Sequence, residues 1–364
     1  MKKKVVCAGV LFCLLFSFSA SAAEIPFDME SFDTAAITGN QHVVDAGQLN
    51  PGGVLRLLNF KTLFEMFFDS AGKQLTGSLS GFGVLSALLL LGAFLKNLSS
   101  SFPQAEQICQ WGTRLSLAWG YMLFFDGAME LIAGTVEEIT LYISTAFPVL
   151  ATSAAVAGLP STAAASQTAL LAEVSVMTLF TKQFFIPLLQ ICLIFQISGL
   201  FSESIPASSI SSFCRRFTVA AVVLITSLFA GAVYYQTAIT TAADSFTVRT
   251  AKLAASNVIP VLGGVLSESL KTALGGAQIV KSTFGLFGIG VLIYMTLPAL
   301  AALLVTKLLF KGSSLLACLT GQTKTETFLE EAEGLLGMGI AFVALTALLF
   351  IFTVTVLIKS QGVM

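Results

Sequence analysis

Charged residues are scarce in this sequence, and their scarcity indicates the class of protein. Asp, Glu, Lys and Arg make up 11% of the 364 residues, against about 25% in soluble globular proteins. Hydrophobic residues make up 55%, and the mean hydropathy is +0.88. The net charge of −1 at pH 7 provides no electrostatic basis for binding nucleic acid. The composition predicts an all-α, polytopic integral membrane protein surrounded by the lipid bilayer.

Residues and motifs that carry catalytic chemistry are also few. His42 is the only histidine, and it lies in a polar N-terminal segment. This excludes an HExxH zinc site and a Ser-His arrangement within the membrane. The sequence contains neither Gly-x-Gly-Asp, which would indicate an intramembrane aspartyl pair, nor GxxxxGK[ST], which would bind a nucleotide. We therefore expect no enzymatic activity, no cofactor and no metal.

The N-terminus has the pattern of a secretory signal peptide. Residues 2–4 are lysines, residues 5–18 are mostly apolar, and residues 20–22 form an A-x-A cleavage site. This predicts a signal peptide over residues 1–23, cleaved so that the mature N-terminus lies outside the cytoplasm. An uncleaved first membrane span is the alternative interpretation.

A polar extracytoplasmic segment is predicted over residues 24–78. A turn signal at residues 51–53 (Pro-Gly-Gly) precedes apolar residues spaced three and four apart, which is typical of an amphipathic helix. Such a helix would lie in the membrane interface beside the first span. The alternative is a short soluble helix that packs on a partner.

The multi-pass membrane domain is predicted over residues 79–364, with seven or eight transmembrane helices. Turn signals or charges separate its apolar runs. These runs are residues 79–95, 116–133, 139–172 with a division at Gly158-Leu159-Pro160, 183–202, 217–243, 282–306 and 334–358. The count is seven if residues 163–201 cross only once.

Basic residues do not determine the orientation of these helices. The eight-span topology places seven of them inside, and at least as many outside. The seven predicted inside are Lys96, Arg114, Arg215, Arg216, Lys307, Lys311 and Lys324. Orientation therefore depends mainly on the signal peptide.

Two acidic residues within a predicted span are candidate functional groups. Asp126 and Glu130 are four residues apart and hence on one helical face. Arg114, about three turns before Asp126, is expected on the same face, at the far end of the helix. Ionised carboxylates are costly at membrane depth, so each needs a partner, a proton or water. They form part of an ion or proton path, or they bond to other helices, or they lie near a membrane interface because Glu137-Glu138 are close by. In a later span, Glu173 and Lys182 are nine residues apart and poor direct partners in one straight helix, so we expect each to pair elsewhere or to extend to a membrane interface.

Residues 244–281 form what we call the broken block. Charged residues are too frequent there for an ordinary span, and apolar residues are too frequent for a loop. Pro260 and the pair Gly263-Gly264 interrupt any single helix. This favours two short amphipathic, interfacial or re-entrant helices, at the membrane surface or behind other helices. A surface helix followed by a linker is the alternative.

A glycine pattern occurs at the start of two successive spans. Residues 285–293 (GLFGIGVLI) and 334–342 (GLLGMGIAF) share Gly-Leu-x-Gly-x-Gly. In helices that run in opposite directions, the repeat suits an inverted repeat of the kind found in transporters. Glycine faces for close helix packing account for it equally well, and we favour that explanation.

One stretch resembles a known family. Residues 243–264 (ADSFTVRTAKLAASNVIPVLGG), within a polytopic chain that has a signal peptide and a C-terminal span, resemble the stage III sporulation protein AE family. The candidate assembly residues in and beside this stretch are Arg249, Lys252, Asn257, Pro260, Gly263 and Gly264. No catalytic residues accompany the resemblance.

The resemblance implies a function in endospore formation. It implies a subunit of a transenvelope channel complex in the mother-cell membrane that surrounds the forespore. Its partners would be other stage III sporulation membrane proteins and a forespore-side partner across the intermembrane space. The alternatives are a stand-alone secondary transporter and a non-conducting membrane scaffold; an intramembrane hydrolase is a more distant one.

Overall fold

The computed structural model describes residues 60–99, 103–156, 159–201, 207–258 and 263–359. All regular secondary structure in these ranges is helical, with no strands, which confirms the all-α prediction. The signal peptide, His42, residues 24–59 and Pro260 lie outside the described residues, so the predictions for them stay predictions.

Seven α-helices and one π-helical segment make up the described chain. They are α1 (Phe60–Ser99), α2 (Pro103–Val156), α3 (Pro160–Phe180), the π segment (Thr181–Phe185), α4 (Ile186–Phe201), α5 (Ala207–Val258), α6 (Gly263–Leu319) and α7 (Thr323–Lys359). The π segment connects α3 directly to α4, so the two helices form one rod.

Six helical stretches in the described chain are long and apolar enough to cross a membrane. They are Lys61–Lys96, Gln110–Val156, Pro160–Phe201, Ser209–Thr247, Gly285–Leu319 and Thr323–Lys359. This finding supports a membrane protein, but the predicted count of seven or eight transmembrane helices is not confirmed.

Against the eight-span prediction, one span fewer arises in α2 and one in the α3–α4 rod, where residues 160–201 form a single stretch. A boundary between two spans is predicted at Glu137-Glu138, but α2 continues through both residues. Glu137 lies on the exposed side of the helix, where its Oε2 atom is 2.8 Å from Nζ of Lys182. An exposed, paired carboxylate removes no backbone hydrogen bond, so it does not end a helix. Likewise, α1 contains the second part of the predicted amphipathic helix and the first span without a break.

The turn predicted at Gly158-Leu159-Pro160 is confirmed. Helix α2 ends at Val156 and α3 begins at Pro160, where a missing N–H costs nothing because the first turn has no intrahelical acceptor for it. The Leu159 N–H donates to the Ala154 carbonyl at 3.1 Å. The two helices then pack antiparallel through a buried apolar cluster to which both contribute.

The α6–α7 connection is a tight turn. Gly321 has φ of 67°, in the left-handed region that favours glycine. The N–H groups of Gly321 and Gln322 donate to the carbonyls of Cys318 and Ala317, which satisfies the last carbonyls of α6. We call the end of the bundle that holds this turn, residues 320–322, the turn end.

Consecutive membrane-length helices alternate in direction around a common core. Helices α1, α3–α4 and α6 run one way, and α2, α5 and α7 run the other. Aromatic side chains dominate the core: Phe185 stacks on Phe342 with ring centroids 4.0 Å apart, and Tyr121 donates a hydrogen bond to Ser313. Helix α7 packs against α6, α5, α2 and α4 and is therefore central.

The seven basic residues predicted on the inside lie in the same half of this bundle. Lys96 contacts Gly321 at the turn, and Arg215 lies over Gly334 in α7. Lys307 and Lys311 are 3.9 and 3.3 Å from carboxylate oxygens of Glu333. The charge distribution of the fold thus agrees with the grouping that the eight-span topology predicts, although the helices are fewer.

Close packing explains the glycine pattern. Helices α6 and α7 run in opposite directions, as predicted. A methyl group added at Gly285 would overlap Cδ1 of Ile358, and one added at Gly339 would overlap Cδ1 of Ile132. These glycines allow α7 to approach α6 and α2.

Replacing Gly339 with valine should therefore separate α7 from α2. We expect Gly339→Val to lower the free energy of unfolding by about 1–3 kcal/mol through overpacking. Gly134→Val is the matched control, because it makes the same change in α2 where no atom lies within 4 Å of the added carbon. Thermal unfolding in detergent measures both, and equal transition temperatures would contradict the packing explanation.

Candidate functional site

Asp126 and Glu130 lie on one face of α2, and that face points out of the bundle. Both residues are exposed, whereas the neighbouring Phe125 and Met129 are buried in the core. The large apolar side chains on the same face are exposed too, among them Trp119 (63%), Leu123 (44%) and Leu141 (63%). The prediction of a shared face is confirmed.

Neither carboxylate has a partner in the described part of the chain. Asp126 and Glu130 make no hydrogen bond or ion pair there. Arg114 contacts other groups: its Nη1 atom is 3.5 Å from the Leu200 carbonyl and its Nη2 atom 3.3 Å from Oε1 of Gln110. The two acidic groups therefore lie on an outer surface whose large exposed side chains are apolar.

The same face carries a third carboxylate, and this one is paired. Glu137, two turns beyond Glu130, forms an ion pair with Lys182 of the π segment, and both side chains are about half exposed. We call Asp126, Glu130 and Glu137 the acidic face. Lys182 neutralises only one of its three members.

Glu173 has a membrane-depth carboxyl group that lies inside the bundle. Its residue is fully buried in α3, and Oγ1 of Thr353 in α7 lies 3.1 Å from Oε2 and 3.4 Å from Oε1. Since Lys182 pairs with Glu137, the prediction that Glu173 and Lys182 pair elsewhere is confirmed. The Glu173–Thr353 contact joins α3 to α7.

Asp244 has a structural position that sequence reasoning missed. It is buried in α5, and its carboxylate accepts hydrogen bonds from the Ser161 N–H at 3.1 Å, the Thr162 N–H at 2.8 Å and the Thr162 hydroxyl at 2.7 Å. These are groups of the first turn of α3, whose own N-cap residue, Leu159, makes no side-chain hydrogen bond. Asp244 therefore caps α3 from a different helix.

The broken block differs in form from the prediction. Its two halves continue α5 and α6, which end at Val258 and begin at Gly263 on either side of Pro260. Arg249 is exposed on α5. Lys252 and Asn257 belong to α5 and Gly263 and Gly264 open α6, but their side-chain environments lie outside the described part. The assembly role of these residues stays a prediction.

Comparisons with known proteins identify the family of this chain. The family model of stage III sporulation protein AE matches residues 54–361. Stage III sporulation protein AE of Bacillus subtilis (strain 168) is 23% identical over 322 residues, covering 82% of this chain and 75% of that protein. No solved structure gives a significant match. The chain belongs to the stage III sporulation protein AE family, which implies a role in sporulation.

Proposed function

We propose that this protein is a membrane subunit of a multiprotein transenvelope channel complex required for endospore formation. It acts without catalytic chemistry, in the mother-cell membrane around the forespore. Its partners are other stage III sporulation membrane proteins and a forespore-side protein. Family membership supports the sporulation role, and the observation that supports assembly is the outward acidic face of α2.

The physical argument for assembly concerns the cost of exposed carboxylates. An acidic side chain at the centre of a membrane helix costs about 2.5–3.5 kcal/mol on insertion scales, unless it meets a partner or water. Asp126 and Glu130 find no partner in the described chain and stand between the exposed Leu123 and Leu141. A transmembrane helix of another subunit that presents Lys or Arg at this depth would remove the cost. We assign the acidic face to such a helix.

Two alternative functions make different use of the same residues. In a stand-alone secondary transporter that couples ions through Asp126 and Glu130, both groups would face the interior or a watery path. Their outward position favours contact with a neighbouring chain. A non-conducting scaffold would keep these contacts and move no solute, and solute flux through the assembled complex in liposomes distinguishes it from a channel subunit.

Neutralising the acidic pair should release the partner subunits. We expect Asp126→Asn/Glu130→Gln to reduce co-purification of the other stage III sporulation membrane proteins at least tenfold, because loss of even one charged contact costs about 1.5–3 kcal/mol and about 1.4 kcal/mol is a factor of ten. Glu65→Gln/Asp69→Asn is the matched control. These acids are also exposed and four residues apart, but on α1, where each has its own lysine partner.

The occupant of the face can be identified directly. A photo-crosslinking residue at Leu123 should join this chain to another stage III sporulation membrane protein that carries a basic residue in its span. Equal recovery of partners with both double variants would contradict the assignment. Crosslinking to a second copy of this chain would also contradict it and would indicate self-assembly.

A further inference from the structure

A small polar cavity lies at the turn end. Its volume is about 120 Å³, and three parts of the fold enclose it: the end of α1, the start of α2, and the α6–α7 turn with the first residues of α7. The lining residues are Gly92, Lys96, Gln110, Thr113, Arg114, Gly321, Gln322, Thr323, Lys324 and Thr325. We call this space the cationic cavity.

Its lining is positively charged. Lys96, Arg114 and Lys324 come from three different helices, and the described lining contains no Asp or Glu. The remaining polar side chains are amides and hydroxyls, which donate hydrogen bonds as readily as they accept them. In a chain with 11% charged residues, convergence of three cations on one small space creates a site for an anion.

Two hydrogen bonds to backbone carbonyls help to hold the walls in place. Lys96 Nζ lies 3.3 Å from the Gly321 carbonyl, and the Gln322 amide donates to the Leu89 carbonyl at 2.8 Å. A methyl group at Gly92 would overlap Cγ2 of Thr113, so glycine allows α1 to approach α2 beside the cavity. The cations are therefore positioned by a packed junction of helices.

The backbone adds to the same field. Helix α7 begins at Thr323, and its first three residues line the cavity. The first N–H groups of a helix have no intrahelical acceptor, and the helix dipole makes this end positive. This contribution supplements the three cationic side chains of the described lining.

We propose that the cationic cavity binds a phosphate group. On the same measure of volume a single water needs only about 10–15 Å³, so a cavity of about 120 Å³ accommodates a larger, phosphate-sized anion. The phosphate belongs either to a soluble anion or to an anionic phospholipid headgroup. A lipid can reach the site because Leu91 and Phe94 of α1, close to Gly92 and Lys96, are exposed. This inference does not depend on the proposed complex.

The test uses the purified full-length protein and two charge-matched variants. Lys96→Gln/Lys324→Gln removes two cations from the cavity and leaves Arg114, which also contacts Leu200 and Gln110. Lys307→Gln/Lys311→Gln removes two cations that contact Glu333 and do not line the cavity. Helix content and size-exclusion profile verify that both variants fold. If the cavity double variant does not fold, Lys324→Gln alone replaces it.

Two measurements distinguish the sources of phosphate. Calorimetric titration with inorganic phosphate in detergent tests the soluble anion. Native mass spectrometry after reconstitution in phosphatidylglycerol or phosphatidylcholine nanodiscs tests the headgroup. We expect binding in at least one arm, weakened about tenfold or more by the cavity variant and unchanged in the control. Absence of binding in both arms, or equal loss in both variants, would overturn the proposal.

Discussion

Replacing Asp244 with alanine is expected to lower the free energy of unfolding by about 2–4 kcal/mol. The substitution leaves two backbone N–H groups and one hydroxyl of the first turn of α3 without their acceptor. Because Asp244 is buried, water does not readily replace the carboxylate. The same change frees the start of α3 from α5, so we expect faster amide exchange at residues 161–164. Chemical denaturation in detergent measures the first effect, and hydrogen exchange the second.

The conservative variant at this position isolates the role of the cap. Asp244→Asn keeps one acceptor oxygen of similar position, so it should retain part of the stability that Asp244→Ala loses. Asp69→Ala serves as the control, because Asp69 is exposed and contacts only Lys73 of its own helix. If Asp244→Ala and Asp69→Ala destabilise the protein equally, Asp244 does not act as a cap.

Replacing Thr353 with valine should also destabilise the protein. Valine has a similar shape, but it leaves the buried carboxyl group of Glu173 without its hydroxyl contact. The expected cost is about 1–3 kcal/mol, the usual cost of an unsatisfied buried polar group. Thr346→Val is the control: Thr346 is also buried in α7, but its hydroxyl contacts only the Phe342 carbonyl of its own helix.

A double-mutant cycle assigns this loss to the pair. Glu173→Gln/Thr353→Val, compared with the two single variants, should give a coupling energy of about 0.5–3 kcal/mol, because the two side chains are in contact. The free energies come from reversible unfolding in mixed micelles. Additive effects would show that the contact between α3 and α7 at this position contributes nothing of its own.

Local patterns of the sequence predict part of the fold. Composition predicts a helical membrane protein, and Gly158-Leu159-Pro160 predicts the reversal between α2 and α3 because proline and glycine act on the backbone directly. The separation of Glu173 from Lys182 follows from helical geometry alone. The glycine pattern indicates close packing, although its partners, Ile358 and Ile132, become known only from the three-dimensional arrangement.

Features that depend on distant residues are not visible in local patterns. Helix α2 passes through Glu137-Glu138, and Lys182, far along the chain, pairs with Glu137 on the surface. The direction of the acidic face depends on which sides of α2 are covered by α1, α3, α6 and α7. Because α2 carries apolar residues on every side, its own sequence does not indicate which sides are covered. In the same way, no residue near the start of α3 indicates that Asp244, more than 80 residues later in the chain, caps this helix.

The sequence predicts that Asp126 and Glu130 belong to one candidate site, but it does not predict the direction in which that site faces. The spacing of Asp126 and Glu130 predicts one face and leaves open whether it points to an internal path or to other chains. The cationic cavity was not predicted as a site, because Lys96, Arg114 and Lys324 are far apart in the chain and meet only when three helix ends converge.

The π segment determines how the α3–α4 rod can vary. Inward-facing residues recur every four positions along it, at Glu173, Met177, Thr181, Phe185 and Leu189. In a regular α-helix each step of four residues would rotate the row of inward-facing residues by about 40° around the helix axis. Four such steps would turn the row away from α7. The wider turn at Thr181–Phe185 offsets part of this drift. The rod therefore accommodates a changed side chain more readily than an inserted or deleted residue, because a change of length would rotate every later position by about 100°.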